Sequence, residues 1–478
     1  MADVTTLRRA IVASLPGETS CFGAAPDLKH LYVPPAHIKA LRLDCNLVIG
    51  ARGVGKSMWT KALGSASLRA ALGSSVPELD STEVSIGFAE TSCINQYPDA
   101  ETFAHLLKSG ISAYDVWRSI VTRWLAGVLQ TKIPSGSWDE TAIWLKENPE
   151  SLARLMQKIN QHFVNESRFG LIVFDALDRS SHDWRTMDQI VRDLLRTVLW
   201  LKSFSKLSAK VFLREDQFER TVTDFPDASK LLATRAELTW APHDLHGLLW
   251  QTLINGPNYH GQQLRDIYCS LLGTPPEESA GRCLLSENIK RDTPAQRTLF
   301  EKLAGPWMGR DKRRGVPYVW SVSHLADGKR RTSPRSFLAA IRQAAEDSLE
   351  RYPDHPVALH YESIKRGIQK ASEIRVNEMA EDYPWVRIFM SPLSGLTVPC
   401  DYSAILERWQ ENFPVGPNSA TNTDRLPPQH VALEWDGIRE DLIRLGVFDV
   451  KKDNRIDMPD LYRVGFGLGR RGGVKPKD

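Results

Sequence analysis

Six cysteines in 478 residues are few, and their spacing excludes more than their number. Cys21, Cys45, Cys93, Cys269, Cys283 and Cys400 are scattered, and none forms a CxxC beside a histidine pair. That excludes a zinc ribbon and a disulfide framework, and it fits a reducing compartment. Net charge is also scarce: 61 basic against 58 acidic residues leave +3, so no chain-wide pull toward nucleic acid or an anionic membrane exists. Apolar runs are short throughout, and none approaches the length that spans a bilayer. The start, "MADVTTLRRAIVASLPG", carries two arginines but too short an apolar run for a secretory signal. There is no internal repeat, no HExxH and no nucleophile elbow. The expectation is a soluble, globular, cytoplasmic protein with no membrane contact, and 53.8 kDa is enough for two to four domains.

What is present begins at residue 48. "VIGARGVGKS" fits GxxxxGK[ST] through Gly50, Gly55, Lys56 and Ser57. An apolar run, "CNLVIG", precedes it, and "KSMWTKALGSA", of helical composition, follows. The glycines let backbone N–H groups turn inward around phosphate oxygens, with the positive helix end behind them. The nucleotide-facing residues are then Gly50, Arg52, Gly53, Val54, Gly55, Lys56, Ser57 and Met58. Lys56 is placed on the β and γ phosphates of ATP, and Ser57 on Mg²⁺.

A phosphate loop calls for a second element, an apolar strand ending in an acid that reaches the metal. In "RFGLIVFDALDRS" (168–180), Leu171 to Phe174 form the strand and Asp175 stands at its carboxyl end. Ala176 occupies the place where a water-polarising glutamate often stands. Asp178 is the nearest carboxylate that could serve, or it is simply the salt-bridge partner of its neighbour Arg179.

Five strands are expected, at 46–49, 84–88, 171–175, 209–213 and 236–240, alternating with helices at 114–130, 151–164 and 187–204. Alternation of this kind implies an α/β fold, a three-layer P-loop arrangement with a parallel five-stranded sheet. The inventory resembles the AAA+ and STAND branches of the P-loop ATPases. "IVFDALDRS" also resembles the Walker B stretch of the KAP group, which often reads as a double aspartate followed by Leu-Asp-Arg; Ala176 stands here for the second aspartate. The resemblance implies further roles. Arg214, with Glu215 and Asp216 after it, falls where a γ-phosphate sensor is kept. Arg235 falls where an arginine finger reaches a neighbouring subunit. Arg335, in the first turn of a helix capped by Ser333 and opened by Pro334, resembles the sensor 2 arginine of a lid. Tyr32 and Val33 are candidates for holding the base.

The expected division is a P-loop core with lead-in (1–241), a helical lid (242–351), a helical connector (352–411), a linker (412–430) and a winged-helix-like unit (431–478). "PHDLHGLLWQTLI" opens the lid with Leu245, Leu248, Leu249 and Leu253 on one face. "GTPPEESAGR" and "GRDKRRGVPY" read as polar loops inserted in it. In the last unit a helix closed by Gly446 leads to a hairpin turning at Asp453 and Asn454 and a final helix. Lys451, Lys452, Arg455, Arg470, Arg471, Lys475 and Lys477 give it a basic rim, whereas Asp436, Glu440 and Asp441 make its candidate recognition helix acidic. Trp435 and Phe448 are expected in its core.

The expected function is a Mg²⁺-dependent ATPase switch, a homo-oligomer controlling a separate effector protein, in the bacterial conflict or anti-phage defence setting that the resemblance implies. A DNA-acting motor or loader, using Arg310, Lys312, Arg313, Arg314 and the terminal unit, is one alternative. A nucleotide-held scaffold that never hydrolyses is another.

Overall fold

The computed structural model describes residues 3–17, 26–181, 183–218, 221–420 and 426–476. Cys21 and Lys477 lie outside the described residues. The chain divides into two compact units, a sheet unit (Phe22–Leu28 and Val33–Thr239) and a helical unit (Met1–Cys21, Lys29–Tyr32 and Trp240–Asp478).

In the sheet unit, β1 (Leu47–Gly50), β2 (Thr82–Phe88), β3 (Phe169–Phe174), β4 (Leu207–Arg214) and β5 (Ala236–Glu237) form one sheet in the order β2-β3-β4-β1-β5. Every neighbouring pair is parallel. Parallel strands need crossovers, and the crossover helices cover the sheet, so β1 and β3 can be apolar on both faces. Leu47, Val48, Leu171, Ile172, Val173 and Phe174 are accordingly fully buried. The fold is α/β, and each of the five strands overlaps its expected place. The observed β5 is the shortest, ending at Glu237 rather than 240.

The helices follow from their caps and stripes. Ser112 accepts from the Asp115 N–H at 3.1 Å and opens Ala113–Val128. Buried Trp117 on that helix donates to Ile190 O at 2.9 Å, tying it to Trp184–Leu201. The phosphate-loop strand β1 is flanked by α2 (Pro35–Leu41) ahead and α3 (Lys56–Gly64) behind.

The helical unit gathers both ends of the chain. Helix α1 (Val4–Ser14) carries Arg8, fully buried, which donates to the carbonyls of Pro353, His355, Val357 and Ala358 at 2.9–3.2 Å. Helix α1 thus packs with the C-terminal half of the chain, where the Arg8 donors find their acceptors. Pro242–Ile254 is a helix as expected, with Leu245, Leu249 and Leu253 fully buried, although Leu248 is only half-buried. The stretch 273–282, read as a loop, contains most of an antiparallel hairpin, Glu277–Ser279 against Arg282–Leu284. Its two turn residues, Ala280 (φ 50°) and Gly281 (φ 73°), are both left-handed, the geometry of a two-residue hairpin turn.

Toward the C-terminus, Glu434–Arg444, the antiparallel pair Asp449–Val450 with Ile456–Asp457, and Asp460–Arg463 appear in the expected order, with Gly446 (φ 73°) closing the helix. Residues on the two sides of 412–430 are in contact. Trp409, on Tyr402–Asn412, stacks on Trp435 at 5.5 Å and on Phe448 at 6.3 Å, and Cys400 bridges to Ile456. Aromatic side chains from both sides of that stretch thus pack together.

Candidate functional site

The site lies at the carboxyl ends of β1, β3 and β4. Open α/β sheets present ligand-binding loops at this edge. After Gly50 the chain turns back on itself: a Cβ at Gly50 would lie 2.6 Å from Val54 Cγ1. Gly53 (φ 75°) and Gly55 (φ 109°) take left-handed conformations that side chains resist. A Cβ at Gly55 would meet nothing within 4 Å, so its backbone faces open space. Helix α3 starts at Lys56, and its positive end points back into the loop. The Lys56 ammonium donates to Gly50 O and Ala51 O, both at 2.9 Å. It is pushed down to about 8, first by enclosure among protein atoms and then by the Arg214 charge.

Asp175 follows β3 directly. Its N–H donates to Phe88 O at 2.9 Å, and the residue is 3% exposed. Burial pushes its carboxyl up, while a hydrogen bond from the Ser57 hydroxyl and the Lys56 charge act against that. The two expected metal ligands thus touch each other. A hydroxyl and a carboxylate are the hard oxygens that Mg²⁺ takes, so the pair fits that ion together with phosphate oxygens.

Arg214 ends β4 in register with Gly50. Its Nε and Nη2 reach the two oxygens of Asp216 at 3.2 and 3.3 Å, and Nη1 reaches Asp178 Oδ2 at 3.4 Å. Lys56, Ser57, Asp175, Asp178 and Arg214 are therefore brought together. Asp178 is engaged by Arg214 and not by its neighbour Arg179, which pairs instead with Glu90. Ala176 holds φ 55°, a left-handed turn costly for a residue with a side chain, and this turn swings the chain into Leu177–Arg179.

Two further expected residues have other surroundings. Arg235 is exposed, with its guanidinium 5.7 Å from the Phe218 ring centroid. Arg335 lies in the helical unit on Pro334–Arg351, and its Nη1 donates to Glu378 Oε1 at 2.6 Å. Tyr32 is 2% exposed, stacked on Trp240 with its hydroxyl 3.5 Å from Asp244.

Sequence reasoning missed two supports. Asp216 was visible only as a neighbour of Arg214; its spacing, two past a strand-end arginine, was the signal. His37 gave none. It is fully buried, accepts from Trp59 Nε1–H at Nδ1 (3.1 Å) and donates from Nε2 to Thr239 O (3.0 Å). Trp59 lies on α3, so one neutral imidazole joins the phosphate-loop helix to the chain leaving β5. Burial pushes His37 down to about 4.

No family model matches this chain, and no curated protein does. Among solved structures, it is similar to the Aeropyrum pernix ORC2 protein in ADPNP–ADP complexes, with TM-score 0.42 and 11% identity over 92% of each chain. The ADP form of that protein gives TM-score 0.34 and 12% identity, covering 94% of this chain and 92% of that one. At these scores the likeness carries no weight here. No described helix is long and apolar enough to cross a membrane.

Proposed function

We propose that this protein is a P-loop ATPase of the AAA+ type, binding ATP with Mg²⁺ and hydrolysing it. The observation that carries this reading is the convergence of Lys56, Ser57, Asp175 and Arg214 at one sheet edge, although up to 158 residues separate them. Loop N–H groups and Lys56 would take the β and γ phosphates, and Ser57 and Asp175 the metal, which would neutralise phosphate charge. Asp175, Asp178 and Asp216 bring negative charge to the edge that holds Lys56 and Arg214. A bare triphosphate is therefore disfavoured, and a Mg²⁺ complex is the species that suits the site. Arg214 is the cation poised for the γ-phosphate. Arg335 would join it only by leaving Glu378, and Arg235 would act on a neighbouring subunit in a homo-oligomer. In this reading nucleotide state biases assembly or the hold on an effector protein. The KAP-like stretch and the defence setting rest on the resemblance of "IVFDALDRS" alone.

The test is ATP turnover by the purified protein beside Lys56→Ala and Asp178→Ala, with and without DNA, with assembly followed by light scattering. Turnover lost in Lys56→Ala and ATP-dependent assembly are expected. ATP binding without turnover under every condition would leave the nucleotide-held scaffold instead. The DNA-acting alternative is weakened by the basic rim, since Lys451 pairs with Asp449 and Asp457, Arg455 with Asp453, and Arg470 with Asp457 and Asp460. Cations already neutralised release fewer counterions on binding phosphate.

A further inference from the structure

A hydrolase of this kind needs a carboxylate to take a proton from water, and Ala176 removes the usual one. Asp175 holds the Ser57 hydroxyl, while Asp178 and Asp216 hold Arg214. Glu90 stands at the same edge, two residues beyond the end of β2, and its partner Arg179 is the more exposed of the two. That strand lies beside β3, with Phe88 level with Phe174 and the Asp175 N–H donating to Phe88 O, so both strands end at the same edge. The Glu90–Arg179 ion pair ties the end of β2 to the turn that follows Asp175.

The end of β2 is also shaped. Its register shifts between Ile86 and Phe88, and a Cβ at Gly87 would lie 2.4 Å from the Phe174 ring. Glycine thus lets β2 close on β3 at this point, and an irregularity of this kind re-aims the side chains that follow. Glu90 is partly shielded, its side chain 24% exposed, and its Oε1 accepts from Arg179, itself 49% exposed. Arg179 hangs from the strained turn after Asp175, so a change at the metal ligand reaches it through three intervening residues.

We propose that Glu90 is the general base of the hydrolysis and that Arg179 latches it. This rests on the ATPase reading above. The water oxygen bonds to the γ-phosphorus and gives one proton to the Glu90 carboxylate. The bond from the γ-phosphorus to the bridging oxygen breaks, its electron pair staying with ADP, and Glu90 then passes the proton to solvent. While Arg179 holds Oε1 the carboxylate is occupied, and release of Arg179 arms it.

The experiment compares wild type with Glu90→Gln, Glu90→Asp, Arg179→Ala, Glu215→Gln and Lys56→Ala. It reads steady-state turnover, affinity for a fluorescent ATP analogue, and melting temperature. Glu90→Gln is expected to lower turnover about 100-fold or more while its ATP affinity stays within about threefold, as loss of a general base does. Arg179→Ala is expected to raise turnover, and Glu90→Asp to keep a fraction of it. Opposite effects separate a latched base from a structural ion pair, whose two partners would fail together. Glu90→Gln turnover within about threefold of wild type, a loss confined to Glu215→Gln, or parallel losses in Glu90→Gln and Arg179→Ala would each overturn the proposal. If wild type and Lys56→Ala bind ATP equally, or wild type binds none, the ATPase reading itself fails, which is a distinguishable result.

Discussion

In the proposed function Lys56 meets phosphate as the protonated ammonium, and the folded protein holds it at about 8 rather than 10.5. A bound polyphosphate favours the charged form, so binding takes up a proton wherever Lys56 is neutral beforehand. ATP affinity is therefore expected to be flat well below pH 8 and to fall by up to about tenfold per pH unit above it. Titration with a fluorescent ATP analogue across that range checks this, and Lys56→Arg, charged throughout, is expected to lack the step. Gly55→Ala forces a side chain to φ 109° and is expected to cost about 1–3 kcal/mol, read as a lower melting temperature. The residue scale is where the sequence was most legible. Residues 48 to 57 contain their own explanation, since glycine freedom, lysine charge and the helix start are all contiguous.

At the scale of elements, α3 is held as much from behind as from its loop. His37 gives Trp59 an acceptor and Thr239 a donor within the interior, so His37→Ala strands both partners as well as opening a cavity. A loss of about 2–4 kcal/mol is expected in denaturant unfolding, with weaker ATP binding because α3 shifts. The strands were readable because parallel strands covered on both faces are runs of apolar residues. The hairpin at 277–284 was not, for its turn uses Ala280 in a left-handed conformation where glycine or asparagine is the usual signal. For the stretch 412–430, loop composition is the same whether the flanking helices part or, like those bearing Trp409 and Trp435, stack together.

Among the described residues of the whole molecule, three histidines are buried in neutral form: His37 at about 4, His246 at about 3 and His360 at about 4, all against 6.5. Below pH 6.5 the unfolded chain binds protons that the folded one refuses, so stability rises with pH between those values and falls as pH drops through them. Each contributes a slope of up to about 1.4 kcal/mol per pH unit, and melting temperature is expected to drop steadily from pH 6.5 toward 4. His246→Phe, keeping the ring among Phe300, Tyr318 and Phe337, is expected to flatten that dependence. Arg8→Met removes the donors for four carbonyls around residue 355 and is expected to cost about 3–5 kcal/mol, with α1 becoming sensitive to protease.

By itself the sequence determined the phosphate loop, the acid-ended strand and the alternation of strands with helices, because each is a local pattern of backbone freedom and burial. Tertiary structure alone decided which charges meet. Asp178 finds Arg214 across 36 residues and not Arg179 beside it, and Arg179 finds Glu90 across 89. Those pairings follow from the strand order β2-β3-β4-β1-β5, which sets β4 between the phosphate loop and Asp175 and puts β2 beside Asp175. Side-chain charge does not encode its partner. The crossovers that stack parallel strands bring distant residues to one edge, and only that edge tells a catalytic carboxylate from a solvated one.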